Sequence, residues 1–168
     1  LQAVRGRIGL DRGLPAVPIP SAVMNELCSH ALGAAPEECC GLVTGTKQES
    51  FRSVYRISNV MTKKHLADPV AFPRDAHEAY YMSEVEYLRA QQDAEQRGES
   101  VTAVYHSHIG TGAYLSIDDR NFAEHPLFPF PTAAQIVISV VADRVAASAI
   151  FQVDVGAGPG CFDERGGR

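Results

Sequence analysis

Apolar residues recur along this chain with two periods, and each period predicts a different element. Val101-Thr102-Ala103-Val104-Tyr105-His106 is β-branched, small and aromatic, the signature of a buried strand. Ala134 to Val141 and Val145 to Val153 read as two further strands joined through Ala142-Asp143-Arg144, a hairpin. Residues 50–60 alternate apolar and polar, as a half-exposed strand does. The strand before it, within Pro36 to Gly45, is apolar with two acidic residues at its start, and the two are expected to pair. Met24, Leu27, Cys28, Ala31 and Leu32 recur at three and four residues, predicting a helix capped by Ser21 and ended by Gly33. Ser83-Glu84-Val85-Glu86 reads as a capping box opening a long helix, with Val85, Leu88 and Ala94 facing inward and Gly98 closing it. Repeated prolines keep Leu14 to Pro20 extended. His77 to Met82 is expected as a short strand, Asp118 to Glu124 as a short helix, and residues 62–74 as a loop near the cleft. This order gives a single α/β sandwich, a central mixed and mostly antiparallel sheet flanked by helices.

Composition changes that picture little. The 168 residues are 45% hydrophobic and 21% charged, enough for one domain with a core. We place that domain at residues 14–155, between an N-terminal extension at 1–13 and a tail at 156–168 with five glycines among thirteen residues. A net charge of -5 gives no electrostatic reason to expect nucleic acid or an anionic membrane as partner. Apolar runs fall short of a bilayer span and no charged-then-apolar leader opens the chain, so a cytoplasmic location is the default expectation. Cys28, Cys39, Cys40 and Cys161 are too irregularly spaced for a disulfide framework and read as free thiols.

The candidate chemistry lies between residues 104 and 119. His106 and His108 are two apart on a strand, so both imidazoles emerge on one face with Ser107 on the other. Ser116 sits where a helix N-cap would, and Asp119 falls three residues later in the first turn. Two histidines and one carboxylate are the protein ligand count of a catalytic zinc site, which keeps its fourth position for water. With this chain's 6 His, 11 Ser and 9 Asp, the spacing His-x-His-x7-Ser-x-x-Asp arises by accident in about one such chain in a thousand.

That spacing resembles the signature of the JAMM/MPN+ metalloprotease family, and the compact length resembles its small prokaryotic members. The resemblance covers roughly Leu14 to Val153 and implies a cytidine-deaminase-like sandwich fold. It further implies zinc held by His106, His108 and Asp119, and a catalytic glutamate three positions before a Gly-Leu pair and preceded by a Pro. That position is Glu38 in Pro36-Glu37-Glu38-Cys39-Cys40-Gly41-Leu42, with Glu37 as the alternative. On this reading Glu38 is the general base and proton donor, Ser116 donates to the oxyanion, and Asp118 is structural. Asn59 resembles an asparagine that often ends the corresponding strand, although a turn-forming Asn explains it equally well. The implied substrate is an amide bond after the C-terminal Gly-Gly of a ubiquitin-like or sulfur-carrier protein. Such a thin terminus suits β-augmentation at a cleft edge. Ile109-Gly110-Thr111-Gly112 departs from the Pro that commonly follows the second His. Two other classes are a non-catalytic scaffold and a zinc amidohydrolase acting on small molecules; the oligomeric state is left open.

Overall fold

A computed structural model of the chain describes residues 6–153. Its elements run α1 (Ser21–Ala34), β1 (Cys40–Gly45), β2 (Ser53–Ile57), α2 (Met61–Ala67), α3 (Glu84–Gln96), β3 (Ser100–Ile109), α4 (Ile117–Ala123), β4 (Ala134–Val141) and β5 (Arg144–Phe151). The strands form one sheet in the order β2-β1-β3-β4-β5. Only β3 and β4 are parallel; the other three pairings are antiparallel. A parallel pair needs a crossover, and the segment that makes it carries α4.

Alternation along the central strands divides the core in two. Cys39 and Val43, Ala103 and Tyr105, and Ile136 and Ile138 pack against Val23, Leu27 and Ala31 of α1. On the opposite face Cys40, Leu42 and Val104 pack with Ala90 of α3, Tyr80 and Phe128, while Val137, Ala149 and Phe151 meet Leu115 and Ala123. Val104, His106 and His108 share that second face by the strand's own period. Gly41 is dictated by close approach. A Cβ there would lie 2.3 Å from the Tyr55 carbonyl oxygen and 2.5 Å from the Tyr105 ring.

Several expectations are corrected. Ser21 is the first helical residue rather than the cap, Pro20 precedes it with no side-chain cap, and α1 runs past Gly33 to Ala34. Ser83 also makes no side-chain cap. Its N–H donates to the Ser58 carbonyl, and Glu86 reaches instead to the Ser58 N–H and hydroxyl at 2.6 and 2.7 Å. Val85 and Leu88 face solvent; the buried residues of α3 are Ala90, which packs with Cys40, Leu42 and Val104, and Ala94, inward as expected. Residues 61–67 are helical rather than loop. The segment 77–82 is not a strand but forms a single bridge, Asn59 to Met82. There the Asn59 side chain replaces the ladder: its Oδ1 accepts from Met61 N and Tyr81 N, and its Nδ2 donates to the carbonyls of Glu38 and Ala79.

The N-terminal segment joins the fold at Ile8, which is buried and exchanges two backbone hydrogen bonds of 2.9 Å with Leu115. Cys39 and Cys40 are buried free thiols and Cys28 is partly buried, also free. Cys161 and the tail at 156–168 lie outside the described residues. No helix among the described residues is long and apolar enough to cross a membrane.

Candidate metal centre

Both histidines project from the most central strand of the sheet. His106 stands in register between Cys40 of β1 and Val137 of β4, and His108 lies opposite Ser139 of β4. A strand hydrogen-bonded on both sides holds its side chains on fixed vectors. Ser107, on the opposite face as the alternation requires, accepts from Cys39 N through Oγ at 2.8 Å. Beyond Ile109 the chain turns at Gly110, whose φ of 72° lies in the left-handed region that glycine tolerates best.

The turn returns at α4, where Ser116 caps the helix in a capping box with Asp119. Ser116 Oγ accepts from Asp119 N at 3.1 Å, and Asp119 Oδ2 accepts from Ser116 N at 3.0 Å and from Ser116 Oγ at 2.6 Å. The local rule that starts the helix thus also aims the carboxylate at the strand. The Nε2 atoms of His106 and His108 are 3.1 Å apart, and each lies 3.3 Å from Asp119 Oδ2.

This triangle fits zinc. Four ligands at 2.0–2.1 Å in a tetrahedron stand about 3.3–3.4 Å from one another, close to the observed edges. The donor set of two imidazole nitrogens and one carboxylate oxygen is likewise suited to that ion, and these atoms form a group able to hold a metal. His108 is oriented for the task. Its Nδ1 donates to the Gly112 carbonyl at 3.0 Å, which leaves Nε2 as the bare nitrogen. His106 is held otherwise: its Nδ1 is buried without a hydrogen-bond partner, and its ring stacks on Tyr80 at 4.5 Å between centroids.

Burial and Asp119 set the charges. Burial lowers the pKa of His106 despite the neighbouring carboxylate. Burial also opposes protonation of His108, but hydrogen bonding and charge from Asp119 outweigh it and raise its pKa. Asp119 is itself mostly buried, yet the two histidines and Ser116 hold its carboxyl well below the ordinary range.

Glu38 lies at the mouth of β1, two residues before Cys40, the register partner of His106. Its N–H donates to the Ala76 carbonyl at 2.7 Å and its carbonyl accepts from Asn59 Nδ2 at 2.9 Å. Its side chain is buried in the wall of a cavity of about 400 Å³ that it shares with His108, Ser116 and Asp119. Burial pushes its pKa up to about 8, with the Asp119 charge adding to the rise and His108 opposing it. Glu37, the alternative, is exposed. Glu38, His108, Ser116 and Asp119 therefore line one cavity, and His106, fully buried, meets His108 and Asp119 beside it. Ser116 has its hydroxyl donated to Asp119 rather than to the open cavity. Asp118 is exposed and pairs with Arg74 at 2.5 Å across the cavity mouth.

Three contributors were not singled out in the sequence: Tyr80, Arg74, and Tyr114, whose ring lies 4.9 Å edge-on to His108. Asn59 was singled out, and the structure gives it a role beyond a turn.

Among protein families, the one described as prokaryotic homologs of the JAB domain matches residues 20–152. No curated protein matches the chain in sequence. The solution structure of a protein from Desulfitobacterium hafniense is 23% identical, with 86% of each chain covered and a TM-score of 0.61. One from Salinibacter ruber is 21% identical, covering 88% of this chain and 87% of that one, with a TM-score of 0.58. At these identities the likeness speaks to the fold.

Proposed function

Because the chain belongs to the family of prokaryotic JAB-domain homologues, we propose that it is a zinc peptidase. Its substrate is the amide bond after the C-terminal Gly-Gly of a ubiquitin-like or sulfur-carrier protein. The observation that carries this reading is the convergence of His106, His108 and Asp119 at 3.1–3.3 Å beside a buried carboxylate, Glu38. His106, His108 and Asp119 hold the ion. When bound, zinc lowers the pKa of water toward neutrality and polarises the scissile carbonyl.

The chain's own residues supply the rest. Glu38 takes a proton from the attacking water and passes it to the departing amine. A carboxylate whose pKa burial has moved toward neutrality suits both transfers. Ser116, released from Asp119, donates to the oxygen of the substrate carbonyl as charge develops there. Asn59 and the Ala76 carbonyl fix the Glu38 backbone, and Tyr80 holds the His106 ring. Water is consumed, and a carrier carboxylate and a free amine are released.

Elemental analysis of purified protein tests the centre. We expect about one zinc per chain in the native and Glu38→Gln proteins and little in His106→Ala, with hydrolysis of a Gly-Gly-terminated adduct only by the native protein. A native protein that takes up no zinc at neutral pH would be a binding scaffold instead.

A further inference from the structure

The charged side chains that line the cavity over the centre are mostly acidic. Its walls include the carboxylates of Glu38, Glu78, Asp118 and Asp119, and among the described residues lining it Arg74 carries the one guanidinium or ammonium group. Arg74 spans the mouth to Asp118, with side-chain exposures of 40% and 63%. An ion pair this exposed contributes little to stability, so its carboxylate partner is readily exchanged for another.

The position of Arg74 tells which partner. The segment that carries it flanks Glu38, since Glu38 N donates to the carbonyl of Ala76, two residues beyond Arg74. In the peptidase reading, on which this inference rests, Glu38 hands its proton to the leaving amine. Arg74 therefore stands on the leaving-group side. A single amino acid joined through its α-amine to a terminal Gly carries its own carboxylate two carbons from the scissile nitrogen. A lysine joined through its side chain places no free carboxylate there. A planar guanidinium fork is matched to a carboxylate.

We propose that Arg74 is a specificity residue that binds the free α-carboxylate of a single C-terminal residue, displacing Asp118. The chain then removes one amino acid from a Gly-Gly end and discriminates against side-chain isopeptides.

The test uses zinc-loaded full-length protein and a short peptide ending Gly-Gly-Ala, prepared as the free acid and as the carboxamide. Native protein is expected to favour the acid in kcat/KM by about ten- to a hundred-fold, the size of one charge-assisted contact. Arg74→Gln should lose that preference, cutting acid and amide with similar kcat/KM, Arg74→Lys should keep part of it, and Asp118→Asn should keep all of it. Equal cleavage of acid and amide by native protein overturns the assignment while leaving the peptidase reading standing. So does equal slowing of both by Arg74→Gln, the behaviour of a mere brace. If neither peptide is cut, the peptidase reading fails, and binding to the Glu38→Gln protein decides on Arg74. Tighter binding of the acid that disappears with Arg74→Gln supports it; equal binding, or none, overturns it.

Discussion

Tyr80 lies nearly parallel to His106, 22° between ring planes, while its hydroxyl is buried with no partner among the described protein atoms. The ring, not the hydroxyl, is then what the site uses. An unsatisfied buried hydroxyl destabilises by about 1–3 kcal/mol, so Tyr80→Phe should keep its zinc and melt at or above the native temperature. Tyr80→Leu should lose zinc at chelator concentrations the native protein withstands, and equal zinc retention by both variants would refute the stacking role. Glu38 is a carboxylate buried at the expense of stability. In metal-free protein its pKa is about 8, against an ordinary value of 4.5. Between those values the unfolded chain has released a proton that the native chain retains, so native stability declines as pH rises. Glu38→Gln removes that decline. Stripped of metal, the variant should exceed the native protein by on the order of 4 kcal/mol near pH 8 and by little near pH 4. Denaturant unfolding of both proteins at the two pH values measures it, and a constant difference would contradict the assigned burial effect.

At the scale of elements, α3 and α4 begin with similar sequence signals and are built differently. Ser116 and Asp119 form a true capping box, whereas Ser83 has its N–H already bonded to Ser58 and its partner Glu86 is drawn to β2's end. Ser83→Ala should therefore alter stability by less than about 0.5 kcal/mol. Ser116→Ala should lose about 1–2 kcal/mol. It should also weaken zinc binding, because Asp119 Oδ2 loses the hydroxyl that holds it. Comparing melting and zinc affinity for the two variants checks the contrast; equal losses would mean that α4 does not depend on its cap. A helix of seven residues has little intrinsic stability, so the cap weighs heavily there.

Across the whole molecule, what was legible in the sequence is what local rules govern. Strand alternation placed His106 and His108 together, the N-cap rule placed Ser116 and Asp119, and the apolar runs at 134–141 and 145–153 predicted the closing hairpin, whose second strand is Arg144–Phe151. Residues 62–74 were expected near the cleft, but no local rule shows that Arg74 pairs with Asp118 or that Tyr80 stacks on His106, because long-range packing sets both contacts. The inward face of α3 was misjudged in part: Ala94 is buried as expected, but side-chain size suggested Val85 and Leu88 where Ala90 is the other buried residue. The segment around Ile8 looked like an appendage, yet it pairs with Leu115, the neighbour of Ser116, and Arg120 of α4 donates to the Gly6 carbonyl at 3.0 Å. The two amides of that pair thus share a fate. In heavy water Ile8 and Leu115 should trade hydrogen for deuterium together, since either is released only when the pair opens. A ligand that favours the closed form slows such opening in proportion to its occupancy. Zinc bound at Asp119 should therefore lengthen the exchange time of an amide near the start of the chain, which becomes a clock for events at the metal.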